Sequence, residues 1–309
     1  TIPFIARYRK EMHGSMDDQL IREFAEKLEY LRGLDKRRDE IRSLIDAQEK
    51  LTDEINLALD KAATLSELED IYRPYRPKRK TRASIAKEKG LEPLANDILK
   101  QEKGFDPSKS AVDYIDEEKG VTSVEDAIQG AMDIIAELVS DNAEIRKRIR
   151  NLTNANCVLV SVATDEEKDS VYKNYYDYKE PVKKIAGHRV LAVNRGEKEG
   201  FLKVSVETDS EKPLNSIFRA MITDKNQLCS DIIREACTDA YQRLIYPSIE
   251  REVRNDLTDT ASENAMKVFA VNLKQLLMQP PVKGKTVLAL DPGYRTGCKT
   301  AVVDSTGKV

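Results

Sequence analysis

Asp291 is the residue whose type and position come closest to predicting metal chemistry. It follows the apolar residues 287–290 in the stretch VLALDPGYRTGCKTAVVD. The pattern predicts a buried strand, a tight turn at Pro292 and Gly293, and a second strand over residues 300–303. A carboxylate at the end of such a strand is a typical ligand of a divalent cation. One interpretation of the chain is therefore a metal-dependent nuclease or resolvase centred on Asp291.

A single carboxylate falls short of what two-metal phosphoryl transfer requires. Several carboxylates must converge so that the attacking and the leaving oxygen are both held. Asp304 lies at the far end of the second predicted strand and is a poor partner. Further ligands would have to follow Val309. We therefore predict no catalytic residue in this chain and keep Asp291 as a weak metal candidate, the alternative being that its carboxylate shapes the turn.

The densest run of positive charge, RPYRPKRKTRASIAKEKG, predicts contact with nucleic acid. The predicted nucleic-acid-binding residues are Arg73, Arg76, Lys78, Arg79, Lys80 and Arg82. Pro74 and Pro77 keep the chain extended, so the cationic side chains are spaced for a phosphate backbone, and Tyr72 and Tyr75 could stack on bases. The alternative is a solvated linker whose arginines pair with nearby acids. No base-reading pattern is present, so we expect binding to be sequence-tolerant.

The histidines and cysteines predict neither a catalytic nor a zinc site. His13 and His188 are the only histidines, and His188 is expected to begin a helix. No GxSxG motif occurs and no Cys lies beside a His. The four cysteines include no CxxC pair, which favours a reducing compartment. Cys229 and Cys237 lie eight residues apart on one helix face and are expected to be buried. We expect no cofactor.

Composition limits the remaining classes of protein. The chain has 309 residues, 40% of them hydrophobic and 34% charged, which is typical of a soluble, helix-rich intracellular protein. The net charge of −3 does not attract nucleic acid to the molecule as a whole. Any such attraction must come from a local basic patch. No apolar run approaches the length of a membrane span, and no signal peptide is evident. We expect a cytoplasmic protein, and a sequence that begins inside a longer one because Thr1 is not Met.

The elements that would position the basic run are helices. After Gly14 an amphipathic pattern predicts one long helix with a bend at Gly33. Its apolar positions are Leu20, Phe24, Leu28, Leu31, Leu34, Ile41 and Ile45. We expect this stripe to pack in the core, with a partner-binding stripe as the alternative.

Capping signals predict where the next helices begin and end. Thr52 and Thr64 are predicted N-caps, and TLSE fits a capping box. The helix after Thr64 should end near Tyr72, which leaves the basic run in a loop. Asp106 with Pro107 predicts another helix start.

A further long helix is predicted over residues 122–152. Its predicted buried face is formed by Val124, Ile128, Ala131, Ile135 and Leu138, and Gly130 is expected to allow close helix contact.

Residues 154–208 are predicted to form a small α+β insert. Residues 156–163 and 200–208 have strand patterns, and residues 187–196 favour a short helix. Helices should then return, with Pro247 breaking or kinking the run and Pro280 and Pro281 ending it.

The whole chain resembles the Tex family of bacterial transcription accessory proteins. The stretches that carry the resemblance are TIPFIARYRKE, LEDIYRPYRPKRKTRASIAKEKGLEPLA, NYYDYKEPVKKIAGHRVLAVNRGEKEG, PSIEREVRNDL and VLALDPGYRTGCKTAVVDSTGK. One departure is Gly187, where Ser is expected, which should weaken a helix cap.

The resemblance implies a fold and a function. It implies a mainly α chain with a helix-turn-helix-like part, followed by an RNase H-like domain of the YqgF type, helix-hairpin-helix units and an S1 RNA-binding domain. The division we expect is a helical region over 1–153, the insert over 154–208, returning helices over 209–282 and the first β-hairpin of the YqgF-type domain over 283–309.

The function implied is non-catalytic binding of RNA or DNA in transcription, mainly through the S1 domain, with RNA polymerase or ribosome-associated machinery as partners. The family is also related to a eukaryotic elongation factor that travels with RNA polymerase. The alternatives are the nuclease centred on Asp291 and a protein-interaction scaffold.

Overall fold

A computed structural model describes residues 1–14, 16–223, 225–280, 283–293 and 297–309 of the chain. The protein is mainly helical, as expected, with a small three-stranded sheet and a C-terminal β-hairpin. The helices that precede the sheet are α1 (Ile2–Tyr8), α2 (Lys10–His13), α3 (Asp18–Asp46), α4 (Asp53–Lys61), α5 (Leu65–Tyr72), α6 (Arg82–Glu88), α7 (Glu92–Lys100), α8 (Pro107–Ala111), α9 (Val124–Asp141) and α10 (Ala143–Asn156).

The sheet, the later helices and the hairpin complete the fold. In chain order these elements are β1 (Val158–Ala163), β2 (Asp177–Pro181), α11 (Gly187–Lys198), β3 (Leu202–Glu207), α12 (Glu211–Met221), α13 (Gln227–Asp239), α14 (Tyr246–Leu277), β4 (Val287–Pro292) and β5 (Cys298–Val303). In the described part of the chain, no helix combines the length and the apolar character needed to cross a membrane.

The chain folds into two compact units. The first comprises residues 1–160, 179–183 and 205–254, and the second comprises residues 161–178, 184–204 and 255–309. The four-part division expected from the sequence stays a prediction.

The long helix α3 is confirmed, but its apolar stripe is buried only in the second half. Leu34, Ile41 and Ile45 pack with residues of α4 and α5 in one core cluster. Leu20 and Phe24 are 48% and 65% exposed, so the expectation that they belong to the core is wrong. The reason is that α4 and α5 pack only on the C-terminal half of the helix.

The predicted caps of α4 and α5 are confirmed. Thr52 Oγ1 accepts a hydrogen bond from the backbone N–H of Ile55, and Thr64 Oγ1 accepts one from that of Glu67, both at 3.3 Å. The Glu67 carboxylate reaches one residue further back than the capping box predicts and accepts from Ala63 N–H at 2.8 Å. These bonds fix the start of the helix that leads into the basic run.

The helix predicted over residues 122–152 is two helices. Asn142 leaves the helical conformation, with φ −73° and ψ 112°, and its side chain accepts a hydrogen bond from Ile145 N–H at 3.0 Å. The amide therefore caps α10 and separates it from α9. On α9, Ala131 and Ile135 are buried as expected, whereas Leu138 is 46% exposed.

Gly130 allows the close contact that was expected of it. A Cβ built at Gly130 would lie 2.3 Å from Leu91 Cδ1 and 3.4 Å from Ala86 Cβ. Helix α9 therefore packs closely on α6 and the start of α7 at Gly130, where the absence of a side chain leaves the necessary space.

Pro247 does not break the chain of later helices. α13 continues through a π-helical turn, Ala240–Ile245, directly into α14, and Pro247 is the second residue of α14. Proline in a helix lacks a donor N–H and its ring clashes with the carbonyl four residues earlier. A π-helical turn just before it widens the helix there, which accommodates both problems. Helix α14 ends at Leu277, ahead of Pro280; Pro281 lies outside the described residues.

The α+β insert contains the two predicted strands and the predicted helix. β1, β3 and α11 confirm the patterns at residues 156–163, 200–208 and 187–196. A third strand, β2, was missed, and the strand order is β2-β1-β3. Gly187 is the first residue of α11 and Ala186 is its N-cap, so the expected effect of Gly187 on a cap is wrong. Instead, a Cβ at Gly187 would lie 3.2 Å from Ala261 Cα of α14.

Candidate nucleic-acid interface

The basic segment, which we define as residues 73–82, is held at both ends by local structure. At its start, α5 ends in a short 3₁₀ turn, Arg73–Tyr75, and Arg76 then adopts an extended backbone. At its end, Thr81 and Ser84 form a capping box at the start of α6, with hydrogen bonds of 2.8 and 3.0 Å. The residues between these two anchors form a short loop that carries most of the charge.

Two of the six predicted binding residues are ion-paired with α9. Arg73 Nε lies 3.2 Å from Asp141 Oδ1, and Lys78 Nζ contacts Asp141 and lies 3.4 Å from Glu137. Both acids lie in the last turns of α9, where the helix dipole also favours cations. Arg73 and Lys78 therefore tie the basic segment to α9. The linker interpretation expected such pairing of the arginines.

The remaining four predicted residues are exposed cations. Arg76, Arg79, Lys80 and Arg82 are all exposed, and within the described ranges none has an ion pair closer than 4.0 Å. The structure thus separates the six predicted residues into two that have a structural role and four whose charge faces solvent.

Tyr72 does not supply the stacking surface that was expected. It is 6% exposed and packs in the core cluster with Leu34 and Leu68, and the Arg37 guanidinium lies 5.8 Å from its ring centroid. Tyr75 packs partly against the same cluster. Both tyrosines contact the core cluster, so the segment presents charge without an aromatic platform.

A cavity of about 780 Å³ lies beside the basic segment. Its wall includes Arg73, Arg76, Lys78 and Arg79 of the segment, together with residues of α3, α5, α9, α10 and α14. All of these residues belong to the first unit.

Behind the segment, four buried or half-buried charges form a network that the sequence did not indicate. Arg146 is 1% exposed; its Nε donates to Asp70 Oδ1 at 2.5 Å and one Nη donates to Ser248 Oγ at 3.0 Å. Arg150 lies 2.7 Å from both Asp70 Oδ2 and Glu252 Oε2. The contact with Asp70 Oδ2 lacks the alignment of a hydrogen bond. The spacing of Arg146 and Arg150 by four residues, beside the apolar Ile145 and Ile149, was the only signal in the sequence.

The network affects the electrostatics of the basic segment. Burial lowers the pKa of Arg73 below its ordinary value, and the nearby charge of Arg146 lowers it further. The Asp141 carboxylate opposes both effects. The wall of the cavity is therefore a region in which positive charges are close enough to repel one another.

Asp291 is the next-to-last residue of strand β4. β4 and β5 pair antiparallel, with Asp291 opposite Lys299. Asp304 follows the far end of β5, about 15 Å away along the hairpin. The Asp304 carboxylate accepts hydrogen bonds from Thr306 N–H, the Thr306 hydroxyl and Lys308 N–H within its own turn. In the described ranges, no group of three or more His, Cys, Asp or Glu could hold a metal ion.

The strand before Asp291 is exposed rather than buried. Leu288 and Leu290 are 62% and 60% exposed. The expectation of a buried strand is wrong for the described residues, because a two-stranded hairpin has no second layer to cover it. Residues 294–296 lie outside the described part of the chain.

His188 lies in the first turn of a helix, and Cys229 and Cys237 are buried, as was expected. His188 is an exposed residue at the start of α11, and His13 Nε2 lies 3.2 Å from the Ile5 carbonyl oxygen. Cys229 and Cys237 are completely buried in α13. Burial raises the pKa of the Cys237 thiol to about 12, which makes it a poor nucleophile.

Comparison with known proteins gives matches along most of the chain. Residues 102–269 match a family model described as Tex central region-like, residues 1–46 match the Tex-like protein N-terminal domain, and residues 285–309 match the Tex protein YqgF-like domain.

Several curated proteins are similar over the full chain. It is 47% identical to the uncharacterized protein YdcI of Bacillus subtilis, of which it covers 43%. It is 38% identical to the transcriptional accessory protein Tex of Neisseria gonorrhoeae, covering 41% of that protein, and 32% identical to the human S1 RNA-binding domain-containing protein 1, covering 32%. The chain therefore spans less than half the length of these relatives.

Proposed function

The chain belongs to the Tex family, and from this premise we propose that it is the helical scaffold of a transcription accessory factor, binding nucleic acid through the basic segment without cleaving it. The residues assigned to binding are Arg76, Arg79, Lys80 and Arg82. Arg73 and Lys78 position the segment through their ion pairs with Asp141. We assign the main RNA contact of the whole protein to an S1 domain. This assignment agrees with the name of the human relative, S1 RNA-binding domain-containing protein 1.

One observation carries this proposal: four exposed cations, none of them ion-paired with a described residue, lie in one short loop and on the first residue of the helix that follows it. A cation that is already paired with a carboxylate contributes little binding free energy toward a phosphate, because its existing ion pair must first be broken. Unpaired exposed cations release counterions from the nucleic acid, which is the main source of sequence-independent affinity.

The same geometry supports sequence tolerance. Bases are read by side chains that reach their edges or stack on their faces. Tyr72 is buried just before the segment and Tyr75 packs partly against the same core cluster. The lysine and arginine side chains of the loop are left to follow the phosphate backbone. The partners proposed are RNA and DNA, with RNA polymerase or ribosome-associated machinery as protein partners.

Charge reversal tests the assignment. We expect Arg79→Glu together with Lys80→Glu to lower the affinity for single-stranded RNA and duplex DNA, measured by fluorescence anisotropy at low salt. The matched control is Lys103→Glu together with Arg148→Glu, two exposed cations of the first unit that lie outside the segment. It changes the net charge equally. Equal loss of affinity in both double variants would show that net charge, rather than this loop, governs binding.

The absence of cleavage is also part of the proposal. A lone carboxylate opposite a lysine cannot hold the two cations of a phosphoryl-transfer site. We expect the purified chain to leave radiolabelled oligonucleotides intact in Mg²⁺. Magnesium-dependent hydrolysis that is abolished by Asp291→Asn would instead support the nuclease alternative.

A protein-interaction scaffold is the second candidate function. It is favoured by exposed apolar side chains on α1, α2 and the first half of α3, among them Phe4, Met12, Leu20 and Phe24, which are 49%, 78%, 48% and 65% exposed. In this case Leu20→Glu with Phe24→Glu should weaken co-sedimentation with purified RNA polymerase and leave oligonucleotide affinity unchanged.

The cytoplasm is the compartment proposed for this function. All four cysteines are unpaired, and three of them are buried, which suits a reducing environment.

A further inference from the structure

The cavity beside the basic segment is lined by charges that do not balance. Five acids and six cations are on its wall: Glu69, Asp70, Glu137, Asp141 and Glu252, with Arg37, Arg73, Arg76, Lys78, Arg79 and Arg146. The pairing of these groups decides which of them remain available to a ligand.

Every acid on the wall already has a cationic partner. Arg37 Nε donates to Glu69 at 2.7 Å, and Lys78 and Arg73 contact Glu137 and Asp141 as described above. Asp70 and Glu252 are shared by Arg146 and Arg150.

Two cations of the wall remain after this pairing, and Arg146, although ion-paired, keeps one nitrogen without a partner. Arg76 and Arg79 have no ion pair with a described residue. Arg146 is 1% exposed, and its Nη1 is a buried donor without a hydrogen-bond partner among the described residues. A buried donor left unpaired is costly, and an acceptor that reaches it recovers that cost.

We infer that this cavity is a phosphate-binding site in which Arg76 and Arg79 hold the oxyanion and Arg146 adds positive charge from behind. Guanidinium groups bind phosphate oxygens through paired, charge-assisted hydrogen bonds, which suits two free arginines on one wall. Burial is the main cause of the lowered pKa of Arg73, and the nearby Arg146 adds to it, so these two guanidinium groups are close enough to repel each other. An oxyanion placed there relieves the repulsion between these cations.

The lining also defines what the site does not recognise. None of the aromatic residues of the described chain lines this cavity, so a base would have no ring on which to stack. The ligand chemistry is therefore the phosphate group itself. Its source is a phosphate of bound nucleic acid, which rests on the proposed function above, or a free phosphorylated molecule.

Inorganic pyrophosphate is the probe for the first arm of the test. Isothermal titration should give saturable 1:1 binding to the full chain. Arg76→Gln and Arg79→Gln should each weaken this binding about tenfold or more, as expected for the loss of a charge-assisted hydrogen bond. Arg148→Gln, an exposed arginine of α10 outside the cavity, should bind as wild type does. No binding at millimolar pyrophosphate, or equal binding by all variants, overturns the inference.

Single-stranded RNA is the probe for the second arm. If the phosphate comes from nucleic acid, pyrophosphate should displace RNA from the chain. Arg76→Gln should then weaken the binding of both pyrophosphate and RNA. If the source is a free phosphorylated molecule, pyrophosphate binds without displacing RNA.

Lys80→Gln separates this inference from the proposed function, because Lys80 lies in the basic segment but does not line the cavity. Suppose that Lys80→Gln loses RNA affinity, that Arg76→Gln and Arg79→Gln keep it, and that pyrophosphate does not bind. This result refutes the phosphate site and leaves the proposed function standing. If the chain binds pyrophosphate but does not bind RNA, the phosphate site is supported and the proposed function is refuted.

Discussion

Asp70 is the residue on which the buried charges behind the basic segment depend. It is 5% exposed and lies between the guanidinium groups of Arg146 and Arg150. A buried ion pair adds little to stability when compared with apolar replacements, but removing one partner leaves a charge uncompensated. The two arginines would then share Glu252 alone.

Asp70→Asn is therefore expected to be severely destabilising. We predict a loss of about 3–5 kcal/mol in the free energy of unfolding, measured by urea denaturation. The control is Asp35→Asn, which removes an Asp–Arg pair between Asp35 and Arg38 at the surface of α3. That change should cost at most about 1 kcal/mol. Similar losses in the two variants would contradict the uncompensated-charge argument.

Glu67 gives the first unit a predictable response to acid. A hydrogen bond from Lys147, followed by one from Ala63 N–H, lowers the pKa of Glu67 below its ordinary value of 4.5. A carboxyl group whose pKa is lower in the folded state stabilises the fold above its unfolded pKa. That stabilisation is lost as the pH falls from 4.5 through the folded pKa.

Glu67→Gln should consequently reduce the acid sensitivity of the fold. We expect a smaller difference between urea midpoints measured above and below pH 4.5 than in wild type. Glu54→Gln, at an exposed position on α4, should retain the wild-type difference. An unchanged difference in Glu67→Gln would show that the pair with Lys147 does not couple to folding.

At the scale of elements, Gly33 and Gly130 are both helical glycines with opposite surroundings. A Cβ at Gly33 of α3 would meet nothing within 4 Å, whereas a Cβ at Gly130 of α9 would lie 2.3 Å from Leu91 Cδ1. Leu91 is 1% exposed, so its side chain has no free space into which to move.

Alanine at these two positions should change stability in opposite directions. Gly33→Ala should stabilise the protein by about 1 kcal/mol through helix propensity. Gly130→Ala has the same propensity gain but an overpacking cost of about 1–3 kcal/mol, so we expect a net loss. Thermal unfolding of the two variants checks this. Stabilisation by Gly130→Ala would mean that α9 is not closely packed on α6 and α7.

Capping residues and apolar periodicity in the sequence predicted the helices and strands better than the interruptions between consecutive helices. Thr52, Thr64 and Asp106 were recognisable as caps because each bonds to residues two or three positions ahead. Asn142 was missed because a capping amide within a continuous apolar pattern is not distinguishable from an exposed helical residue. The break expected at Pro247 does not occur, because the helix continues through a π-helical turn that no local pattern predicts.

At the scale of the whole molecule, the sequence predicted where positive charge lies but not which charges are free. Arg73 and Lys78 pair with Asp141, which is 68 and 63 residues further along the chain. The network of Asp70, Arg146 and Glu252 likewise joins elements more than 70 residues apart. Only the packing of α5, α9, α10 and α14 brings these groups together, so neither the pairing nor the cavity could be predicted from spacing.

The central claim is that the free cations of the basic segment bind nucleic-acid phosphates. The most direct test is the dependence of the observed affinity on salt concentration, for wild type and for Arg79→Gln with Lys80→Gln. Removing two phosphate contacts should reduce the slope of log K against log salt by about 1.4 for single strands and about 1.8 for duplex DNA. Identical slopes and affinities for the wild type and the double variant would contradict the account.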